Sequence, residues 1–146
     1  METTQVADSK TVAEVQHYLA THGATSVQVE YGPGGTVDGL AFRINVAGDS
    51  VPFRLPCRWK AVEAVLRKSS RRPRSGDTYE QWARRVAWRQ IKRWVEAQMA
   101  MVETGMVKTE EVFLPYAIVR SNGGMQTMFE YVEEKKILAL PAPEGS

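Results

Sequence analysis

Side chains able to act as nucleophiles, bases or metal ligands are few in this 146-residue chain. The one cysteine, Cys57, follows Pro56, and the only histidines are His17 and His22. A nucleophile needs a base within hydrogen-bond reach, and a lone cysteine in such a setting reads as an inert small hydrophobe. His17 and His22 are five residues apart, so a helix would turn them to different sides, whereas a metal-binding pair needs three or four. A single cysteine also excludes an internal disulfide and a multi-cysteine zinc site. Gly32-Pro33-Gly34-Gly35 is followed by neither Lys-Ser/Thr nor a helix start, which makes it a turn and not a phosphate loop. The pairs Glu110-Glu111 and Glu133-Glu134 sit on polar stretches and read as solvated surface. No catalytic residue, metal site or cofactor is expected.

The chemistry the chain does concentrate is positive charge. Between Arg54 and Arg93 stand thirteen Lys or Arg against three acids, while the remainder holds six bases and fourteen acids, under a net charge of only +2. Such a distribution suits a polyanion-binding surface; it equally suits acidic ends folding back on a basic middle. Three clusters stand out. Arg43 and Arg54 fall on the outward face of a hairpin, directly opposite one another, a like-charge pair that either Glu30 on a neighbouring strand or a bound phosphate could offset. Arg67, Lys68, Arg71, Arg72 and Arg74 crowd a short polar stretch that could serve as a phosphate-contacting arm. Arg85, Arg89, Lys92 and Arg93 form a stripe along a helix, where Lys92 and Arg93 could also reach Glu96. Arg84 falls among apolar positions and calls for an acid from elsewhere or a snorkelling route to water. Of four tryptophans, Trp82 and Trp94 read as core, while Trp59 and Trp88 remain open to base stacking.

The elements that must hold these residues follow from periodicity. Thr11 and Glu14 form a capping-box pair ahead of Val12, Val15, Tyr18 and Leu19, predicting a helix from Thr11 to His22 stopped at Gly23. Val27, Val29 and Tyr31 alternate with polar residues as a strand. Leu40, Phe42, Ile44 and Val46 share one face, as do Val51, Phe53 and Leu55; a Gly48-Asp49 loop between them pairs Ile44 with Phe53. Pro52 places the third strand at the sheet edge. A second helix over Arg58–Lys68 is expected to pack through Val62, Val65 and Leu66, followed by a mobile basic loop over 69–76. Asp77 and Glu80 open a helix of some 27 residues ending at Gly105, with an apolar arc over more than half its circumference. A short helix over Thr109–Leu114, a turn at Asn122-Gly123-Gly124 and a helix around Thr127–Glu134 complete the chain. The expectation is one α+β domain over 1–146: an α-β-β-β-α unit with a three-stranded antiparallel sheet (10–68), the basic loop, a helical half (77–140) and a loose tail (141–146). Because the long helix carries more apolar surface than one packing face needs, a homo-oligomer is predicted, with Trp88, Val95, Val102 and Met106 at the contact. No apolar run approaches the roughly 20 residues of a membrane helix, and METTQVADSK lacks a secretory pattern, so a cytoplasmic protein without membrane contact is expected.

The run from Arg85 to Ala100, leading to Val112-Phe113-Leu114-Pro115-Tyr116, together with the upstream Val51-Pro52-Phe53-Arg54-Leu55-Pro56, resembles small uncharacterised proteins encoded by bacteriophages and prophages over residues 10 to 120. That group carries no established activity; the resemblance implies a phage setting, in a host cytoplasm, and favours DNA transactions or host interference. The αβββα order is similar in outline to double-stranded-RNA-binding domains, but their Lys-Lys-x-Ala-Lys motif is replaced by Lys60-Ala61-Val62-Glu63-Ala64, leaving an analogy of topology. A sheet crossed by a long helix also suits phage single-strand annealing proteins, again without a motif. The expected function is non-catalytic nucleic-acid binding, single-stranded DNA favoured, through the three basic clusters. The alternative is a protein-interaction module, an adaptor or inhibitor aimed at a host or phage protein.

Overall fold

The computed structural model describes residues 2–121 and 123–136; the predicted tail over 141–146 and Asn122 of the predicted turn lie outside them. The first helix, α1 (Glu2–Thr21), begins well before the capping box read at Thr11. Residues 2–10 contain neither Pro nor Gly, so nothing in them stops a helix, and Thr11 sits in its interior. Its end is as expected: the Tyr18 carbonyl accepts from His22 Nδ1 at 2.7 Å, and Gly23 takes φ +111°, where a side chain would be strained.

Three antiparallel strands follow, β1 (Ala24–Tyr31), β2 (Val37–Val46) and β3 (Asp49–Pro56), in the order β1-β2-β3. Leu40, Phe42, Ile44, Phe53 and Leu55 are buried on one face, as alternation predicts, and β3 with Pro52 lies at an edge of this sheet. The register differs from expectation by two residues. Phe42 pairs with Phe53, Ile44 with Val51 and Leu40 with Leu55, so Arg43 faces Pro52 and Arg54 faces Ala41. The loop is Ala47-Gly48, both at positive φ (52° and 90°), as a type I′ turn requires. A two-residue slip keeps every side chain on its face, because the pleat repeats every two; it also stacks Phe42 on Phe53 with centroids 5.4 Å apart. The expected Arg43–Arg54 opposition does not form.

Helix α2 (Trp59–Lys68) packs against α3 (Tyr79–Glu103). Val62 and Leu66 are half-buried, but Val65, expected in the contact, is 67% exposed. Thr78 caps α3: its hydroxyl accepts from the Gln81 amide at 3.1 Å, and Gln81 Oε1 accepts from the Thr78 amide at 2.9 Å. The capping box therefore starts one residue later than Asp77-Glu80. At 25 residues, α3 is roughly 38 Å long. The sheet, α1 and α2 enclose it. Its wide apolar arc is filled from within the chain: Trp88 is 1% and Val95 0% exposed, in one core with Val12, Val15, Leu19, Phe42 and Phe113. Trp88 Nε1 donates to the Val37 carbonyl at 3.3 Å. This corrects the expectation that Trp88 and Val95 lie at an oligomer contact. Val102 packs half-buried on the same core, and only Met106 stays open.

Beyond α3, α4 (Thr109–Phe113) runs into a 3₁₀ turn (Leu114–Tyr116). The predicted helical half then contains a hairpin, β4 (Ile118–Ser121) with β5 (Gly124–Thr127), before α5 (Met128–Lys135). Thr127 and Glu130 form the α5 capping box. Phe113 makes T-shaped contacts with Phe42 (5.1 Å) and Trp94 (5.6 Å), which tie this segment to the sheet and to α3. Among the described residues no helix is long and apolar enough to cross a membrane.

Candidate nucleic-acid interface

Burial sorts the arginines of α3 into two kinds. Arg84 and Arg85 are buried, and a buried guanidinium requires an acid and further acceptors. Arg85 Nη2 lies 2.6 Å from Asp77 Oδ2, with side chains 7% and 8% exposed. Arg84 Nη1 lies 3.0 Å from Asp38 Oδ1, and its guanidinium stacks 4.4 Å from the centre of the Trp59 ring. Arg84 thus meets the expectation of an acid from elsewhere. Arg85 does not meet its own: it belongs to the interior and presents no surface to a phosphate. Lys92 is also taken, by Glu14 of α1 and, at 3.9 Å, by Glu96; the Glu14 hydrogen bond holds the Lys92 pKa above its usual value and the Glu14 pKa below its own. Arg89 and Arg93 remain, both exposed and, among the described residues, without an acid in ion-pair range.

The basic stretch predicted to be mobile contains no helix or strand over 69–76, yet it is tied down. The Arg67 guanidinium lies 4.4 Å above the Tyr79 ring and that of Arg71 5.5 Å above Trp82. Arg67 also reaches Glu63 at 3.6 Å, Ser69 Oγ accepts from the Arg71 amide at 3.3 Å, and Asp77 N donates to the Arg74 carbonyl at 2.9 Å. At about 100° per residue, Arg89 and Arg93 point within about 20° of the direction of Trp82. Stacking on Trp82 therefore places Arg71 on the same line of α3 that Arg89 and Arg93 continue over roughly 16 Å. Lys68, Arg72 and Arg74 are exposed beside it.

Arg43 and Arg54 lie elsewhere. They project from the face of the sheet opposite to Phe42, Phe53 and Leu55, away from α3. Glu30 of β1 accepts from Arg54 Nε at 2.8 Å, the offset the sequence allowed. Two clusters share a face; the third is behind the sheet.

Other titratable groups fit a structural role. Burial pushes the Cys57 thiol up to about 12, which keeps it protonated. His22 Nε2 bonds Glu103 at 2.8 Å, joining the ends of α1 and α3. Asp8, beside Arg84, Arg85, Arg89 and Asp77, is raised to about 6 because desolvation outweighs the nearby arginines. Among the described residues no group of three or more His, Cys, Asp or Glu could hold a metal ion. Sequence reasoning missed Asp77 and Asp38 as partners of buried arginines, and Tyr79 and Trp82 as the rings beneath the loop. Only the position of Arg84 in an apolar arc signalled such a partner. Comparison with known proteins finds no matching family model, no similar curated protein and no similar solved structure.

Proposed function

We propose that this chain is a non-catalytic nucleic-acid-binding protein whose contact face is the 67–74 segment together with Arg89 and Arg93, with single-stranded DNA as the preferred ligand. The observation that carries the reading is the stacking of Arg67 on Tyr79 and Arg71 on Trp82, which aligns the loop's charge with the exposed arginines of α3. A guanidinium held over an aromatic ring by a cation–π contact is fixed in place beside that ring, where an unpaired base can stack while phosphates meet the flanking charges. The resemblance to phage proteins favours a setting in phage DNA transactions. The homo-oligomer reading, and in part the protein-interaction reading, drew on an apolar arc that the chain itself fills, so that arc no longer supports them.

Fluorescence anisotropy with labelled single- and double-stranded oligonucleotides tests the proposal. Single strands should bind more tightly, with affinity falling steeply as salt rises. Combining Arg71→Ala, Arg72→Ala and Arg74→Ala should lower the salt slope by about 2, at about 0.7 per phosphate contact, while Arg43→Ala on the other face should leave binding unchanged. No binding at micromolar protein in about 50 mM salt, or equal losses from both variants, would overturn the reading.

A further inference from the structure

We infer that the groove between the outer face of the sheet and the β4–β5 hairpin binds a small molecule through a carboxylate or phosphate group. This goes beyond the nucleic-acid reading and uses the opposite side of the fold. The groove measures about 460 Å³, a size that suits a small metabolite. Arg43 and Arg54 rise into it from adjacent strands, and Gln126, Ile118 and Met125 of the hairpin form its far wall.

Both guanidinium groups are anchored on one side and open on the other. Arg54 gives its Nε to Glu30, which leaves both terminal nitrogens without a hydrogen bond among the described residues. Gly39 makes this anchor possible: a Cβ there would stand 2.8 Å from the Leu55 carbonyl oxygen and 3.2 Å from Glu30 Oε1, in the path along which Glu30 crosses β2. Arg43 gives only Nη1, to the Ser50 carbonyl and hydroxyl at 3.3 Å, and has no acid in ion-pair range among the described residues. Its Nε and Nη2 are left to offer. Gln126 adds an amide whose Nε2 is closed off from solvent and lacks an acceptor, so rotating that amide toward the groove would exchange an unpaired donor for a paired one.

Each acid nearby is engaged through one carboxylate oxygen, its Oε1. Glu30 serves Arg54, and Glu130 accepts from the Thr127 amide and hydroxyl at 2.9 and 3.0 Å, bonds that hold its pKa low. The guanidinium groups of Arg43 and Arg54 are the charged donors left open in the groove, and what they fit is an anionic acceptor. A planar carboxylate or a phosphate oxygen pair meets guanidinium N–H groups in this way, and Ile118 with Met125 would cover an apolar body.

Side-chain NMR during titration with inorganic phosphate, and separately with succinate, tests the site. We expect saturable shifts of the Arg43 and Arg54 Nε–H and Gln126 amide signals at millimolar ligand. Arg43→Gln, at an exposed position, should weaken binding about tenfold, the loss of one charge-assisted pair. The combined 71, 72 and 74 alanine variant should bind phosphate in the groove unchanged, so this site and the nucleic-acid face fail independently. Shifts confined to residues 67–74, or shifts that grow linearly without saturating, would overturn the inference. Displacement of phosphate by a single-stranded oligonucleotide would overturn the small-molecule assignment and return Arg43 and Arg54 to a nucleic-acid backbone.

Discussion

Residue types in the basic middle of the chain say little until burial divides them. Arg85 and Asp77 form a pair with both side chains under a tenth exposed, where the cost of stripping water from two ions is offset only while both partners are present. Arg85→Ala should therefore destabilise the fold by about 3 kcal/mol or more, seen as a large fall in the urea midpoint. Arg89→Ala, at an exposed position, should cost under about 0.5 kcal/mol and instead weaken DNA binding. An Arg85 variant as stable as the parent would remove the buried pair from this account. Asp8 makes the second residue-scale prediction. Its folded pKa of about 6 lies above its ordinary 3.8 because burial disfavours the charge. Its contribution to stability is complete below 3.8 and is lost as pH rises through 6. Glu14 and Glu130, held low by hydrogen bonds, act in the other sense and lose their contributions as pH falls through the carboxylate range. The melting temperature should thus rise from pH 7.5 to pH 5 and fall again in stronger acid. Asp8→Asn should flatten the upper limb; an unchanged limb would refute the assignment.

Elements were legible wherever a long period spoke for itself, and illegible where a local choice decided. The α-β-β-β-α order and the buried face of the hairpin follow from patterns of five residues or more, and Pro52 at an edge follows from its missing N–H. The register of β2 on β3 did not, because Gly48-Asp49 is a plausible turn by composition, and only packing of Phe42 on Phe53 against α3 selects Ala47-Gly48. The cap of α3 failed similarly: Asp77-x-x-Glu80 and Thr78-x-x-Gln81 are both valid boxes, and Asp77 is drawn away by Arg85. Strands β4 and β5 are four residues each, too short for alternation to register. For the candidate site, the loop and the exposed Arg89 and Arg93 were legible as charge, but their alignment was not, since stacking on Tyr79 and Trp82 is a contact between separate elements. The turn supplies a test at this scale. Ala47 occupies the left-handed region at φ 52°, which costs an L-residue about 1 kcal/mol. Ala47→Asn should stabilise by about 0.5 kcal/mol, since Asn-Gly is a favoured type I′ pair, and Ala47→Val should destabilise by about 1 kcal/mol. Reversed signs in chemical denaturation would show that the loop is not Ala47-Gly48.

Across the whole molecule, the charge asymmetry is offset in part and left open in part. Acidic segments do fold back on the basic middle: Glu14 takes Lys92 and Glu30 takes Arg54. Among the described residues no acid lies in ion-pair range of Arg72, Arg74, Arg89 or Arg93, so the charge without an ion-pair partner gathers over α2, the loop and the outer line of α3. The opposite face of the sheet is left to a groove of mixed character. Between these two surfaces lie α3 and the sheet packed on it, and the centre of α3 is the place to test the architecture. Val95 is 0% exposed, in one core with residues of α1, the sheet and Phe113. A carboxylate there would be stranded without a partner, at a cost of several kcal/mol, against total stabilities of about 5–15 kcal/mol for domains of this kind. Val95→Glu should therefore lose the far-ultraviolet helical signal, or melt far below the parent, and not yield a folded smaller species. Light scattering coupled to size exclusion distinguishes these outcomes. Recovery of a well-folded 16.4 kDa particle from a larger parent would mean that Val95 sits between subunits, and that the chain does not fill the apolar arc of α3 by itself.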